Sequence, residues 1–238
     1  MTPPLRALLL AAGLGTRLRP ITEKIPKCLV EVAGEPLLGR WLRQLEAVCC
    51  EAVLINTHYL SDQVETFLQE RPPTAMCVQT IHEPELLGTA GTLLANQAFF
   101  NDATGLLIHA DNAMDGDLQG LLNSHAARPE ECLLTMLTFC TDQPRSCGIV
   151  ATDGRGVVRA FHEKVSDAPS NCANGALYSF DPDFLAYCGS MNPQPTDFST
   201  EVIPHLMGRI HTWHTSMPYL DIGSPLALQA AQGLIAPF

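Results

Sequence analysis

Leu5-Arg6-Ala7-Leu8-Leu9-Leu10-Ala11-Ala12-Gly13-Leu14-Gly15-Thr16-Arg17-Leu18-Arg19-Pro20, followed shortly by Pro26-Lys27, decides the reading of this chain. Leu5–Ala11 is a short apolar run that opens onto glycines. A run of that length and composition predicts a strand buried in a parallel sheet and feeding a glycine loop. Glycines directly after such a strand let backbone N–H groups approach a phosphate chain with no Cβ in the way. Arg17 and Arg19 then offer guanidinium groups to phosphate oxygens, and Lys27 a point charge. Two common phosphate loops are excluded by residue. A Walker A loop needs a Gly-Lys pair, which the chain lacks, and a dinucleotide fingerprint needs a third glycine where Leu18 stands. Gly-x-Gly alone fits an ordinary tight turn. Arg17, Arg19 and Lys27 following one glycine loop so closely, in a chain with only 14 basic residues, is what points to phosphate.

Working outward, the apolar pattern alternates strand and helix. Leu38, Trp41, Leu42, Leu45 and Val48 follow helical spacing behind Pro36, which a first turn tolerates. Ala52–Asn56, Met76–Ile81, Leu106–Ala110 and Cys132–Phe139 read as further strands. Helices are expected over a segment capped by Ser61 and carrying Val64, Phe67 and Leu68, over Leu93–Phe100, and around Leu118, Leu121 and Leu122. Strands this short and apolar, alternating with helices, imply an α/β fold with a mostly parallel sheet covered on both faces. After residue 140 the strands become short and glycine-flanked (Gly148–Ala151, Val157–His162, Gly175–Phe180). Helices are expected at Asp183–Tyr187, Phe198–Leu206 and Leu226–Leu234, with a proline-bearing loop over Gly189–Thr196. With no linker, charge block or repeat, residues 1–238 read as one domain: about 1–140 facing the nucleotide and about 141–238 completing the cleft. The lack of a hexapeptide period speaks against an appended C-terminal β-helix.

The composition fits a folded enzyme better than a coat for polyanions. The chain has 238 residues, 46% of them hydrophobic and 16% charged, with a mean hydropathy of +0.09, which excludes bulk disorder. Its formal charge of −11, from 14 basic against 25 acidic residues, argues against nucleic-acid or anionic-membrane partners. Nine cysteines form no C-x-x-C pair, and the N-terminus lacks a leader or membrane-helix pattern. The thiols therefore read as reduced, mostly small core residues of a cytoplasmic protein. The eight histidines show no H-x-x-x-H spacing, and His211 and His214 read as strand residues rather than ligands.

From Ala11 to Leu38 the chain reads A-A-G-L-G-T-R-L-R-P-x-T-x-x-x-P-K-C-L-x-x-V-x-G-x-P-L-L. This resembles the signature of the sugar-1-phosphate nucleotidyltransferases, also called NDP-sugar pyrophosphorylases. Later segments are similar to that family's motifs in the same order. Glu83-Pro84-Glu85-Leu86-Leu87-Gly88-Thr89-Ala90-Gly91-Thr92 resembles the base-contacting segment, and Ala110-Asp111-Asn112 the metal motif. Phe161-His162-Glu163-Lys164 resembles the sugar-side Glu-Lys-Pro, Asn174-Gly175-Ala176-Leu177-Tyr178 its Asn-x-Gly-x-Tyr, and Tyr219-Leu220-Asp221-Ile222-Gly223 its Trp/Tyr-x-Asp-x-Gly. The resemblance implies a Rossmann-like three-layer sandwich with a mostly parallel mixed central sheet.

It also implies a reaction: a sugar-1-phosphate oxygen attacks the α-phosphorus of an NTP and expels pyrophosphate. The nucleophile is already an anion, so catalysis consists of positioning and charge neutralisation. Carried over residue by residue, Arg17, Lys27 and Asp111 are the catalytic group. Leu10, Ala11, Ala12, Gly13, Gly15, Thr16, Arg17, Glu83, Gly88 and Thr89 contact the nucleotide. Gly148, Glu163, Lys164 and Asn174 hold the sugar phosphate, and Asp111 with Asp221 holds Mg²⁺. Asp111 also closes a buried strand, where α/β sheets present ligand groups. Two residues depart from the pattern: Val165 replaces the proline after Glu-Lys, and Ala110 the glycine before the aspartate. The Glu83–Gly91 segment is closer to guanylyl- and cytidylyl-type members. Asp197-Phe198-Ser199-Thr200-Glu201 before Ile203-Pro204 resembles mannose- and heptose-1-phosphate guanylyltransferases. GTP with mannose- or heptose-1-phosphate is therefore the leading expectation. Uridylyl-, thymidylyl- or cytidylyl-transfer, to another sugar-1-phosphate or to a phospho-alcohol, is the alternative. A non-catalytic NDP-sugar sensor is the remote one, since it would not need Arg17, Lys27, Asp111 and Asp221 together. Family members often form homo-oligomers, and the sequence leaves that open.

Overall fold

A computed structural model describes residues 3–114 and 116–236. In chain order the strands and helices are β1 (Leu5–Leu10), β2 (Glu31–Val32), β3 (Glu35–Pro36), α1 (Leu37–Ala47), β4 (Ala52–Thr57), α2 (Ser61–Glu70), β5 (Cys77–His82) and α3 (Gly88–Ala95). There follow β6 (Thr104–His109), β7 (Asn112–Met114), α4 (Leu118–Ala126), β8 (Leu134–Cys140), β9 (Gly148–Thr152), β10 (Val158–Glu163) and β11 (Cys172–Phe180). The chain ends with α5 (Pro182–Gly189), β12 (Ile210–His214), β13 (Tyr219–Asp221) and α6 (Pro225–Leu234). It divides into two compact units. One comprises Leu5–Leu86, Ile108–Gly116 and Met217–Phe238; the other Met1–Pro4, Leu87–Leu107 and Asp117–Ser216.

In the first unit β1, β4 and β5 run parallel, with Leu8 opposite Leu54 and Leu54 opposite Gln79. All six residues of β4 are buried, which is why the apolar run Ala52–Ile55 opens it before the polar Asn56 and Thr57. β5 is exposed at most positions, and among the described residues its outer side meets no further strand. α1 buries Leu38, Trp41, Leu42 and Leu45 as expected from their spacing, together with Leu37, whereas Val48 lies just past the helix end and is half-buried. Ser61 does not cap α2 as expected. It is the first helical residue, and Leu60 turns into the helix with φ +55° and no side-chain cap. The tiny strands β2 with β3, and β7 with β13, escaped the sequence because two or three residues carry no period. α6 begins at Ser224, whose hydroxyl accepts from the Ala227 N–H at 3.2 Å. Its Ala231 joins Leu18, Val32, Leu37, Ala113 and Ile222 in one apolar cluster that ties the three segments of this unit together.

In the second unit β8 lies between β11, antiparallel, and β12, parallel. β9 pairs antiparallel with β10 and meets β11 at Ala173. Aromatic rings run from Phe100 through Phe180 and Phe184 to Phe198 and Tyr178, at centroid spacings of 4.5–5.9 Å. The expected helix over Phe198–Leu206 is instead one π turn, Phe198–Val202, followed by a 3₁₀ turn, Ile203–Leu206. Pro204 has no N–H to continue an α-helical ladder there.

Candidate active site

The glycine loop leaves the C-terminal end of β1 as expected. Leu10 ends the strand, Ala11, Ala12, Gly13 and Gly15 lie in the turn that follows, and Thr16 opens a 3₁₀ turn; a Cβ on Gly13 would meet nothing within 4 Å. Gly15 has φ +62°, and a Cβ there would lie 2.8 Å from Thr22 Cγ2. The Thr22 hydroxyl in turn donates to the Gly15 carbonyl at 2.7 Å, fixing the loop's exit. Asn56, at the end of β4, braces the entry: its Oδ1 accepts from the Ala11 N–H at 2.7 Å, and its Nδ2 donates to Glu83 Oε1 at 3.0 Å. Glu83 is buried, and its carbonyl sits 2.7 Å from His58 Nδ1. Asn56 was not singled out from the sequence. A polar residue closing an otherwise apolar buried strand was the signal that could have found it.

Lys27, Asp111 and Asp221 meet in this same unit. The Lys27 ammonium donates to Asp111 Oδ2 in a short hydrogen bond and lies 3.6 Å from Asp221 Oδ1. Its side chain is only 9% exposed, against 29% for Asp111 and 55% for Asp221. Arg17, 72% exposed, reaches Asp221 Oδ2 at 3.9 Å. Backbone pairing sets this convergence: β13 lies antiparallel to β7 with Asp221 opposite Asn112, and the Ile222 N–H donates to the Asp111 carbonyl at 3.1 Å. Gly223 leaves room beside Arg17, since a Cβ there would lie 2.9 Å from its Nη2. Burial alone would raise the Asp111 pKa. The charges of Lys27 and His109 and the hydrogen bonds to the carboxylate outweigh it, so Asp111 stays below the usual carboxylate range and ionised.

Two carboxylates converging on one buried cation form a hard-oxygen donor set of the kind Mg²⁺ takes, completed by substrate phosphates and water. Among the described residues no group of three or more His, Cys, Asp or Glu forms a protein-only metal cage. Such a cage is not what a Mg²⁺–phosphate site requires.

The remaining sequence-selected residues lie in the second unit. Gly88 opens α3 with φ +78°, and a Cβ there would press to 2.4 Å of the Thr196 carbonyl oxygen. The Thr89 hydroxyl accepts from the Phe198 N–H at 2.7 Å. Gly148 and Glu163 are cross-strand partners, and a Cβ on Gly148 would crowd Glu163 Oε2 at 2.7 Å. Lys164, at φ +50°, pairs with Glu163 at 3.0 Å and is 65% exposed. Asn174 donates from Nδ2 to the Tyr178 hydroxyl at 2.7 Å and accepts from the Ala176 N–H at 2.9 Å. Burial pushes the Tyr178 hydroxyl well above its ordinary pKa, so it stays a neutral partner for Asn174.

With this geometry in view, the sequence matches the Nucleotidyl transferase family over residues 6–236. The chain belongs to that family. It is 31% identical over 225 residues to the mannose-1-phosphate guanylyltransferase catalytic subunit beta of Drosophila melanogaster, covering 92% of this chain and 60% of that protein. It is 28% identical to the UTP–glucose-1-phosphate uridylyltransferase of Synechocystis, covering 98% and 64%. The chain thus spans about three fifths of the length of these curated relatives. Among solved structures, a putative glucose-1-phosphate thymidylyltransferase from Bacillus anthracis superposes with a TM-score of 0.85 at 21% identity, covering 97% of this chain and 94% of that one. HddC from Yersinia pseudotuberculosis, complexed with GMP-PN, superposes with a TM-score of 0.79 at 22% identity, covering 96% and 98%. These likenesses show the fold, Rossmann-like α/β with a mixed sheet, in agreement with the sequence. Among the described residues no helix is long and apolar enough to cross a membrane.

Proposed function

We propose that this chain transfers a nucleotidyl group from an NTP to a sugar-1-phosphate, releasing pyrophosphate and forming an NDP-sugar. The carrying observation is the cluster beyond the glycine loop, in which Lys27 lies between Asp111 and Asp221 with Arg17 beside Asp221. In the reaction the sugar phosphate oxygen forms a bond to the α-phosphorus while the bond from that phosphorus to the bridging oxygen of the β-phosphate breaks. No base is needed, because the attacking group enters as an anion. The backbone of Leu10–Thr16 cradles the triphosphate, with Gly13 leaving the approach open. Arg17 neutralises the β- and γ-phosphates and then the departing pyrophosphate. Lys27 orients the α-phosphate against the incoming phosphate. Asp111 and Asp221 are the residues that would hold Mg²⁺. When bound, that ion supplies Lewis-acid polarisation of the phosphoryl oxygens.

Glu83, Gly88 and Thr89 are read as the nucleotide's base side. Gly148, Glu163, Lys164 and Asn174 are read as the sugar side. Residues 1–238 are read as one catalytic domain, with about 1–140 on the nucleotide side and about 141–238 on the sugar side. GTP with a manno-configured sugar-1-phosphate is the favoured pair, supported by the likeness to mannose-1-phosphate guanylyltransferases from Drosophila melanogaster and, at 28% identity, Mycobacterium tuberculosis. The likeness to a uridylyltransferase makes UTP with glucose-1-phosphate the second reading. Nine free thiols, Cys28, Cys50, Cys132 and Cys188 among them buried, fit a cytoplasmic setting.

The test is pyrophosphate release from each of four NTPs paired with mannose-, heptose- and glucose-1-phosphates in the presence of Mg²⁺. Turnover is expected with at least one pair, fastest with GTP. Binding of an NDP-sugar without turnover of any pair would turn the reading toward a sensor.

A further inference from the structure

Cys140 ends β8 and Cys172 begins β11, and the register sets these two residues opposite each other in the antiparallel ladder. The neighbouring pair settles which kind of site this is. The Thr141 N–H donates to the Asn171 carbonyl at 2.9 Å, so Thr141 and Asn171 form a hydrogen-bonded pair. Hydrogen-bonded and non-hydrogen-bonded pairs alternate along an antiparallel ladder, so Cys140 and Cys172 form a non-hydrogen-bonded pair, with Cα atoms about 4.5 Å apart and side chains at their closest. The Cys172 N–H accordingly turns away, to the Ser170 hydroxyl at 3.3 Å. A disulfide accepts Cα separations of about 4.4–6.8 Å, so this pair falls within the range at its short end.

The surroundings suit thiol exchange. Cys140 is exposed and Cys172 half-buried. His214, paired through β12 with Thr138, places Nε2 3.8 Å from Cys140 Sγ while its Nδ1 lies 3.2 Å from the Thr138 hydroxyl. The buried thiols Cys28, Cys50, Cys132 and Cys188 have no such access.

We propose that Cys140 and Cys172 are a reversible dithiol–disulfide site, oxidised by small disulfides of the glutathione type. The Cys140 thiolate attacks one sulfur of the oxidant, forming a mixed disulfide and expelling one thiolate. The Cys172 thiol then attacks Cys140 Sγ, forms the intramolecular bond, and expels the second small thiol together with its proton. Two protein thiols are thereby oxidised and one small disulfide is reduced to two thiols. Burial raises the Cys172 pKa, which keeps that thiol protonated and leaves the accessible Cys140 as the first attacker. A short, solvent-accessible cross-strand bridge belongs to the labile class of disulfides, so a dithiol reductant reverses it. The bond would close at the start of β11, on the strand face that also carries Asn174, its second neighbour along the strand.

The experiment treats the folded chain with oxidised glutathione, blocks the remaining thiols under denaturing conditions, and maps peptides by mass spectrometry. The wild type is expected to yield a Cys140–Cys172 linked peptide that disappears after dithiothreitol, while the exposed Cys49 and Cys77 carry at most glutathione. Cys172→Ser is expected to retain one glutathione on Cys140, and Cys140→Ser to yield no linked peptide. The proposal is overturned if wild type and Cys172→Ser hold glutathione on Cys140 equally, or if Cys140 links to Cys147 instead. It is equally overturned if neither thiol reacts in a protein whose circular dichroism is unchanged.

Discussion

Two charge clusters of this protein are built from mirror-image parts. In one, Lys27 stands between two carboxylates, Asp111 and Asp221. In the other, Asp181 stands between two bases, with Arg128 Nη2 at 2.6 Å and His125 Nε2 at 3.4 Å from its Oδ2. The second cluster is spent on structure. Asp181 Oδ1 takes the Thr104 hydroxyl at 2.9 Å, and Arg128 also donates to the carbonyls of His125 and Cys132, each at 2.8 Å. His125 Nδ1 lies 3.0 Å from the Thr135 hydroxyl. These bonds lock α4, β6, β8 and the start of α5 together. The first cluster instead has Asp221 and Arg17 more than half exposed, beside a glycine loop with open space over Gly13. A cluster bonded into the elements around it holds a fold together, whereas one that keeps charged atoms open to solvent can take a ligand.

The largest effect that could break this contrast lies in the first cluster. Lys27→Ala and Asp111→Asn should each lower kcat roughly 10²–10³-fold, the scale for losing one charge-stabilising contact to a transition state. Urea midpoints measured alongside separate catalysis from folding. Near-wild-type turnover in either variant would remove the role assigned to the cluster. In the second cluster the expectation reverses. Asp181→Ala leaves Arg128 and the buried His125 uncompensated. Breaking a buried pair costs about 3–5 kcal/mol, and the one-third exposure of Asp181 brings the expectation down to roughly 2 kcal/mol. The KM values of the variant should stay unchanged. A large loss of kcat at unchanged stability would show that the second cluster is not structural.

A milder test sharpens the contrast between buried and exposed lysines. Lys164 sits at the surface with Glu163 as its ion-pair partner. Lys164→Ala should raise KM for the sugar-1-phosphate about tenfold, equivalent to about 1.4 kcal/mol, and leave KM for the NTP unchanged. An effect confined to the NTP would move Lys164 off the sugar side.

How much of this was legible in the sequence follows from what each feature depends on. The strand–glycine loop and the face of α1 are local, written in adjacent residues, and they came out as expected. Lys27, Asp111 and Asp221 were individually legible because each sits in a motif. Their meeting was implied by the family resemblance alone and by no local pattern, because it rests on β7–β13 pairing between strands of three residues each. Asn56 was missed because its role, linking the Ala11 N–H to Glu83, exists only once β1 and β4 are side by side. The Asp181 network was invisible for the same reason: Thr104, His125 and Asp181 are far apart in sequence and joined only by packing. Ser61 misled because a good capping residue followed Leu60, whose left-handed backbone starts the helix without a side-chain cap.

The smallest expected effect is the pH dependence of stability, which also separates the two clusters. His125 lies below the ordinary histidine value of 6.5, chiefly through burial and against the pull of Asp181. His211 lies below it as well, again chiefly through burial. The unfolded chain therefore binds protons near pH 6.5 that the folded chain resists, so stability rises with pH there. That contribution is present in full above about pH 6.5 and is lost as pH falls below it. The Asp181 carboxyl, held down first by His125 and then by Arg128 and Thr104, acts with the same sign only below its ordinary value of 3.8. Between pH 7 and 5 the stability slope should thus come from the histidines of the second unit. Unfolding free energies from urea titrations should fall as pH is lowered across that range, by at most about 1.4 kcal/mol per pH unit for each histidine. His211→Gln should flatten the fall, whereas Lys27→Ala should leave it in place. A profile that stays level in the wild type, or that Lys27→Ala flattens instead, would assign the slope to the wrong cluster.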